Sequence, residues 1–507
     1  MAQGLFAKTY GWAGSNEYGY CVVQTPDGGF AVAGITNSSF GAGGEDVLVL
    51  RLNPDGSLLW AKAYGGTGAD GAYSIVHTAD NGFAVAGYTE SFGALSRDIL
   101  VLKLDSDGGL TWAKHYIKTG RQEAHCIVQT TDGGYAVAAS GDDLVVLKLK
   151  ADGDTNWARY YYGPSWGGDA FSLVQTTDDG YAVTGTAIVP GLQDNATPVL
   201  RLDSDGSVLW SKFFLGMVNG TGVIFDQGNS IIQTSDGGFA IAGVTDVNLA
   251  DLPTLMAVKL GWDGGLSWAT ATGGPWDQGN SIIQTPDGGF VVAGPAQSLG
   301  RVFLIMKLAP GGVLAWSRTL DVYNFDTPHS LIQTTDGGFL VTGDVYNTND
   351  GNRDAAILKL GGDGNYSGCV VDQAPTMVTP EFDTLNLGIS APTWAHSSAS
   401  PPVATTSLLP TVINVCTPLY EGTIEDNSCG HPLAIFCAPS PGALLFVADM
   451  ETTIEIYSPD GRLAYSGNLV KGENRITLDP GVYLWQASVV EASSRACPVY
   501  KGKAVVR

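Results

Sequence analysis

Cys21–Gly34 reads CVVQTPDGGFAVAG, and this stretch decides the fold because the chain repeats it. The phrase returns at Ser74 (SIVHTADNGFAVAG), Cys126 (CIVQTTDGGYAVAA), Ser172 (SLVQTTDDGYAVTG), Ser230 (SIIQTSDGGFAIAG), Ser281 (SIIQTPDGGFVVAG) and Ser330 (SLIQTTDGGFLVTG). The starts of these seven copies lie 53, 52, 46, 58, 51 and 49 residues apart. Each copy runs on into a second phrase such as VLVLRLNPDGSLLWAKAYGG at Val47–Gly66. Runs of β-branched and aromatic residues bounded by turn residues resolve every unit into four strands, typified by SIIQT, FAVAG, VLVLKL and LLWAKAY. The first pair is joined by T-x-D-G-G and the second by turns such as Asp105–Gly108 and Asp203–Gly206, where glycine supplies the positive φ of a tight hairpin. Four antiparallel strands in a repeat of this length predict a β-propeller blade, so the chain reads as an all-β, seven-bladed propeller.

The ends of the repeat region favour a closed ring over an open solenoid, which would need polar capping repeats. Leu5–Gly11 (LFAKTYG) aligns with Trp60–Gly66 and is a fourth strand with no blade of its own. After the seventh third strand, Ala356–Leu360, the expected Trp-Ala-Lys strand is missing. The N-terminal strand therefore closes the last blade, which removes the free sheet edges an open array would carry. The propeller is expected over residues 1–370.

Composition agrees with turn-rich β structure: 68 of 507 residues are Gly and only 15% are charged. The net charge of −24 and the lack of a basic patch argue against nucleic acid as a partner. No apolar run reaches the ~18 residues of a transmembrane helix. Met1–Gly14 has neither the basic start nor the apolar centre of a signal peptide, so the reading is either a leader already removed or export by another route.

Positions common to all blades are structural in the first instance. Third strands carry Arg51, Lys103, Lys148, Arg201, Lys259, Lys307 and Lys359, and fourth strands Lys8, Lys62, Lys114, Arg159, Lys212 and Arg318. Cross-strand and inter-blade pairing is their expected task. An acidic residue precedes each first strand: Glu17, Asp70, Glu123, Asp169, Asp226, Asp277 and Asp326. Hydrogen bonding to loops accounts for this ring more simply than cation binding does. The Asp-x-Asp-Gly turns lack the further oxygen donors of a calcium loop. The repeated Trp60, Trp112, Trp157, Trp210, Trp268 and Trp316 read as core. Cys21 and Cys126 replace the Ser of other blades and read as free thiols, whereas Cys369, Cys416, Cys429, Cys437 and Cys497 suit one or two disulfides of open connectivity. No metal-ligand spacing exists among the six His, and no metal or cofactor is expected.

Residues 371–436 turn to Pro, Ser and Thr and read as an extended linker or stalk, with Leu385–Ser390 and Ser407–Cys416 as apolar stretches that could instead lie as strands on the propeller. Residues 437–507 return to strand patterning and read as a small Ig-like β-sandwich.

Two resemblances follow. IEIYSPDGRLAYSG, GENRITLDPGVYLWQA and KGKAVVR, with Ile456, Tyr457, Gly461, Arg462, Leu463, Gly481, Val482, Tyr483 and Lys503–Arg507 as the matching residues, resemble the type A sorting domain of type IX secretion cargo proteins. The Asn-Pro opening of that domain is replaced by Ala438–Pro441, and Arg495–Cys497 falls in an insertion. The resemblance implies secretion or display on the outer cell surface, with the secretion machinery as a partner. The repeat itself resembles the QTxDGGF…DGxxxW repeats of uncharacterised extracellular bacterial and archaeal propellers, which implies architecture and no activity.

Function is expected on the face that carries the variable loops. Trp12, Trp166 and Trp276 break the repeat in the linkers of that face. The position before each first strand, near the channel mouth, varies as Tyr20, Tyr73, His125, Phe171, Asn229, Asn280 and His329. Aromatic rings mixed with amides suit sugar C–H faces and hydroxyls, so the favoured expectation is a non-catalytic propeller binding polysaccharide or another surface ligand. A structural or adhesive protein that self-associates is the alternative. A polysaccharide hydrolase or lyase ranks behind both, because no nucleophile elbow and no His/Asp/Ser set is visible.

Overall fold

The computed structural model describes residues 4–366 apart from positions 13, 142, 273 and 275 and the segments 39–42, 93–95, 118–119, 162–167, 190–193, 219–220, 223–225, 246–252, 298–300, 321–325 and 348–350. Beyond residue 369 it describes only the backbone of strands.

Seven antiparallel sheets follow the repeat. In the first blade Glu17–Gln24, Phe30–Thr36, Asp46–Leu52 and Leu58–Gly65 pair in chain order. Second and third strands are buried along their whole length, on both faces, which explains why AVAGIT and VLVLRL read as continuous apolar runs rather than alternating ones. The seventh blade combines Thr327–Gln333, Phe339–Asn347 and Asn352–Leu360 with the N-terminal strand Phe6–Gly11. The register runs antiparallel from Phe6 opposite Lys359 to Tyr10 opposite Ala355. The ring is closed by hydrogen bonds between the two ends of the repeat region.

The repeated side chains join blade to blade. Each fourth-strand Trp meets the aromatic residue that opens the second strand of the next blade, as Trp60 meets Phe83 at 6.4 Å and Trp268 meets Phe290 at 5.5 Å between ring centroids. The sequence placed these rings in the core; their place is more specific, at the seams. The first-strand Gln forms a second stitch. The N–H of Thr335 in the last blade donates to Gln24 Oε1 in the first at 2.9 Å, and Thr131 does the same to Gln175. Where the turn reads T-P-D-G-G, at Pro26 and Pro286, no N–H exists to donate, and the residue facing Pro26 from the next blade is His77 instead of Gln.

The third-strand bases hold the hairpin of their own blade. Lys103, Lys148, Lys259 and Lys359 put Nζ within 3.0 Å of Asp80, Asp132, Asp236 and Asp336 and also donate to a strand carbonyl. Fourth-strand bases reach the next blade, as Lys62 does to the carbonyl of Asp107 at 2.7 Å. The expected mixture of cross-strand and inter-blade pairing is therefore divided between the two strands.

Part of the segment read as a linker adds strands to blade edges. Met377–Val378, Glu381–Leu385, Ser397–Ala399 and Ala404–Leu408 each pair antiparallel with the outer strand of the fifth, fourth, second and first blade respectively. The second compact unit contains a three-stranded sheet (Leu433–Cys437, Ala443–Ala448, Gly472–Thr477) and a four-stranded one (Leu463–Leu469, Thr452–Tyr457, Gly481–Val489, Tyr500–Val506).

Candidate functional site

The seven variable residues before the first strands are brought together, and a β-bulge does it. In six blades the pairing of first and second strand skips one residue, and the skipped residue is Tyr20, Tyr73, His125, Phe171, Asn229 or His329. In the sixth blade the ladder begins at Ser281, directly after Asn280. A bulge bends the strand and re-aims its extra side chain, here out of the alternating in-and-out pattern. The close approach this needs explains the glycine that ends six of the seven phrases: a Cβ on Gly34 would lie 1.7 Å from the carbonyl oxygen of Tyr18.

The bulged residues touch in series. Ring centroids are 4.6 Å apart for His329 and Tyr20, 5.1 Å for Tyr20 and Tyr73, 5.2 Å for Tyr73 and His125, and 5.0 Å for His125 and Phe171. Amides continue the circuit: Asn229 Nδ2 lies 3.4 Å from Asn280 Oδ1, and Asn280 Nδ2 donates to the carbonyl of Pro328 at 2.8 Å. The result is a collar with one group per blade, all half-buried.

Three collar residues contact the residue 15 positions later, and in each case the partner matches chemically. His125 Nε2 bonds Ser140 Oγ at 3.0 Å, and His329 Nε2 bonds Asp344 Oδ1 at 2.6 Å. Tyr73 packs on Tyr88, with centroids 5.6 Å apart. Sequence reading missed this coupling, although the fixed offset was available in the repeat.

Electrostatics keep the collar uncharged at its aromatic side. Burial holds the His125 imidazole down to about 4, against partial opposition from Glu123. Burial also pushes the hydroxyls of Tyr20 and Tyr73 well above the ordinary tyrosine range, so both remain protonated donors. The arginines nearby are engaged: Arg97 with Glu90 and Glu123, Arg121 with Glu123, and Arg353 with Asp344. The carboxylates before the first strands hydrogen-bond loops as expected. Glu17 accepts from the Trp12 N–H and from Thr36 Oγ1, and Asp70 from the Gly66 N–H.

Two expectations about the rings change. The collar rings pack on one another, Tyr73 stacking on His125 while Tyr20 with Tyr73 and His125 with Phe171 meet edge to face, so they offer a ligand edges and hydroxyls more than open platforms. Trp12 is only 6% exposed, packed with Phe6, Tyr10, Leu48 and Leu50, and is a core residue. Trp276 is 47% exposed. Trp166 lies outside the described residues.

No protein-family model matches the chain, and no curated protein does. Among solved structures, Sqt1 from Chaetomium thermophilum is similar at 12% identity and a TM-score of 0.41, over 71% of this chain and 99% of that one. PorZ, an essential surface component of the type IX secretion system of Porphyromonas gingivalis, is similar at 11% identity and a TM-score of 0.40, over 96% of this chain and 59% of that one. A protein of unknown function from Bacteroides caccae is similar at 11% identity and a TM-score of 0.33, over 62% of this chain and 93% of that one. At these TM-scores the likenesses carry no argument about this chain.

Proposed function

We propose that this propeller is a non-catalytic binding protein of the cell exterior that takes a neutral polysaccharide at the collar. The observation that carries the reading is the convergence of hydroxyls, imidazoles and amides, one from each blade and six of them on a bulge, beside arginines already engaged with carboxylates. Such a surface offers hydrogen bonds without a net cation for an anionic ligand. The chain's charge of −24 adds to the case against a polyanion. Secretion is supported by the resemblance of residues 456–507 to a type IX sorting domain.

The test is a glycan array with the full chain, followed by calorimetry on the retained glycans. Tyr73→Phe and Asn280→Ala should each weaken binding about tenfold while leaving the melting temperature in place. Retention of no neutral glycan, or unchanged binding by both variants, overturns the reading. A second reading, self-association, is favoured by one observation: strands from residues 377–408 add to outer blade edges, and a second copy could donate the same strands. Electron microscopy of concentrated protein should then show chains of discs.

A further inference from the structure

The collar has two sectors with different sequence logic. In the first four blades the residue just before the acidic ring is Asn16, Ala69, Gln122 or Gly168, and the collar residue is aromatic or His: Tyr20, Tyr73, His125, Phe171. In the last three blades the position before the acid changes, and in the fifth and sixth so does the collar residue. An aromatic residue precedes the acid, at Phe225, Trp276 and Phe325, and the collar residue is Asn229, Asn280 or His329. Rings stand in the collar in the first four blades and the seventh, and amides in the fifth and sixth, where the aromatic residue comes earlier in the chain.

Trp276 shows what the exchange does. Its backbone is left-handed, with φ +66, a conformation that strains a bulky residue. The strain is held by its neighbours: the Trp276 N–H donates to the carbonyl of Pro253 in the fifth blade, and Asp277 beside it is fully buried. The indole is nevertheless 47% exposed. Core packing therefore does not account for a strained tryptophan here. Four residues on, a span of at most about 13 Å, lies a row of amides. Gln227 Nε2 donates to Asn229 Oδ1, Asn229 Nδ2 to the carbonyl of Gly279 at 3.1 Å, and Asn280 Nδ2 to that of Pro328. The row supplies amide groups from the fifth and sixth blades, whereas the collar rings of the other sector pack on one another.

We propose that Trp276 and the Asn229–Asn280 row form an off-axis saccharide subsite, in which the indole takes the C–H face of a pyranose and the amides take hydroxyls of the adjoining sugar. The inference rests on the glycan-binding reading and adds the place and orientation of the ligand: it leaves the collar over the fifth and sixth blades.

The test uses the full chain titrated with the neutral hexasaccharides cellohexaose, laminarihexaose and chitohexaose. Trp276→Gly should relieve the left-handed strain, so its melting temperature should equal or exceed that of wild type while affinity for the bound hexasaccharide falls at least about tenfold. Trp276→Asn, which also tolerates this backbone, should behave alike. Unchanged affinity in both variants, with Tyr73→Phe still impaired, overturns the subsite and leaves the collar reading standing. A melting temperature lowered as by a core substitution in both variants also overturns it, because the ring is then packing. Failure of wild type to bind any of the three probes, together with an empty glycan array, overturns both.

Discussion

Phe6 packs on Phe30 with ring centroids 6.1 Å apart, and this is the same contact that Trp316 makes with Phe339, also at 6.1 Å. The first pair joins the N-terminal strand to the first blade, and the second joins the sixth blade to the seventh. Six seams are made by a tryptophan on a phenylalanine or tyrosine, and the last by Phe6 in the tryptophan position. Tyr10 repeats the pattern, its hydroxyl donating to the Gly56 carbonyl as Tyr64 does to Gly108 at 2.7 Å. The closing strand thus carries the full set of inter-blade contacts as well as the ladder to Asn352–Leu360.

Phe6→Ala should accordingly act as a core substitution, costing about 3–5 kcal/mol by chemical denaturation. Deleting residues 1–14 should cost more, because it also strips the outer strand of the seventh blade. A deletion variant that melts with wild type would show that closure does not depend on this strand.

Glu17 gives a pH prediction. Burial drives its carboxyl up to about 7, outweighing the hydrogen bonds from Ser15, the Trp12 N–H and Thr36, and Asp354 pushes the same way. A carboxyl raised by folding favours the native state fully below its unfolded value, about 4.3, and that contribution disappears as pH rises through 7. Glu17→Gln should match wild type near pH 5 and be more stable at pH 8, by on the order of 2–3 kcal/mol. Thermal melts at the two pH values decide the point; a variant less stable at both would mean that the ionised carboxylate is needed.

Architecture was legible in the sequence because the propeller states each blade separately. Every unit repeats its Gly turns, its buried runs and its Trp, so one reading is checked seven times, and the unmatched LFAKTYG at the start identified the closing strand. The collar positions were legible for the same reason, since residues that vary at a fixed place in a repeat stand out. What the rings do there was not. Whether Tyr20 faces a ligand or Tyr73 depends on the bulge and on contacts between strands about 50 residues apart. Trp12 and Trp276 both break the repeat in linkers, yet one is buried and the other exposed on a left-handed backbone. Linker geometry differs from seam to seam and has no repeat to calibrate it.

Export can be tested independently of binding. In a host with a type IX system, the tagged full-length chain should reach the cell surface, and a chain ending at Phe436 should be retained in the periplasm. Equal display of both on whole-cell immunolabelling would remove the sorting role from residues 437–507.

The hairpin latches predict the acid limit of the fold. Burial raises the carboxyls of Asp80, Asp132 and Asp236, but hydrogen bonds from Lys103 and Thr78, Lys148 and Thr130, and Thr234 and Lys259 outweigh it and hold all three near 2. Asp336 is held low in the same way by Thr334 and by Lys359, which is only 1% exposed. A carboxylate lowered by folding contributes stability that is complete above its unfolded value, about 3.9, and is lost as pH falls through 2. Stability should therefore drop steeply between about pH 4 and pH 2, with several latches released together. Lys359→Met separates this from general acid expansion. It leaves Asp336 with Thr334 and the Gly338 N–H but without its cation, and should cost about 1–3 kcal/mol at pH 7. At pH 2 the gap between variant and wild type should have narrowed, because the contribution of the ionised Asp336 is progressively lost below its unfolded value. A deficit of the same size at both pH values would assign the loss to the packing of the lysine stem rather than to the latch.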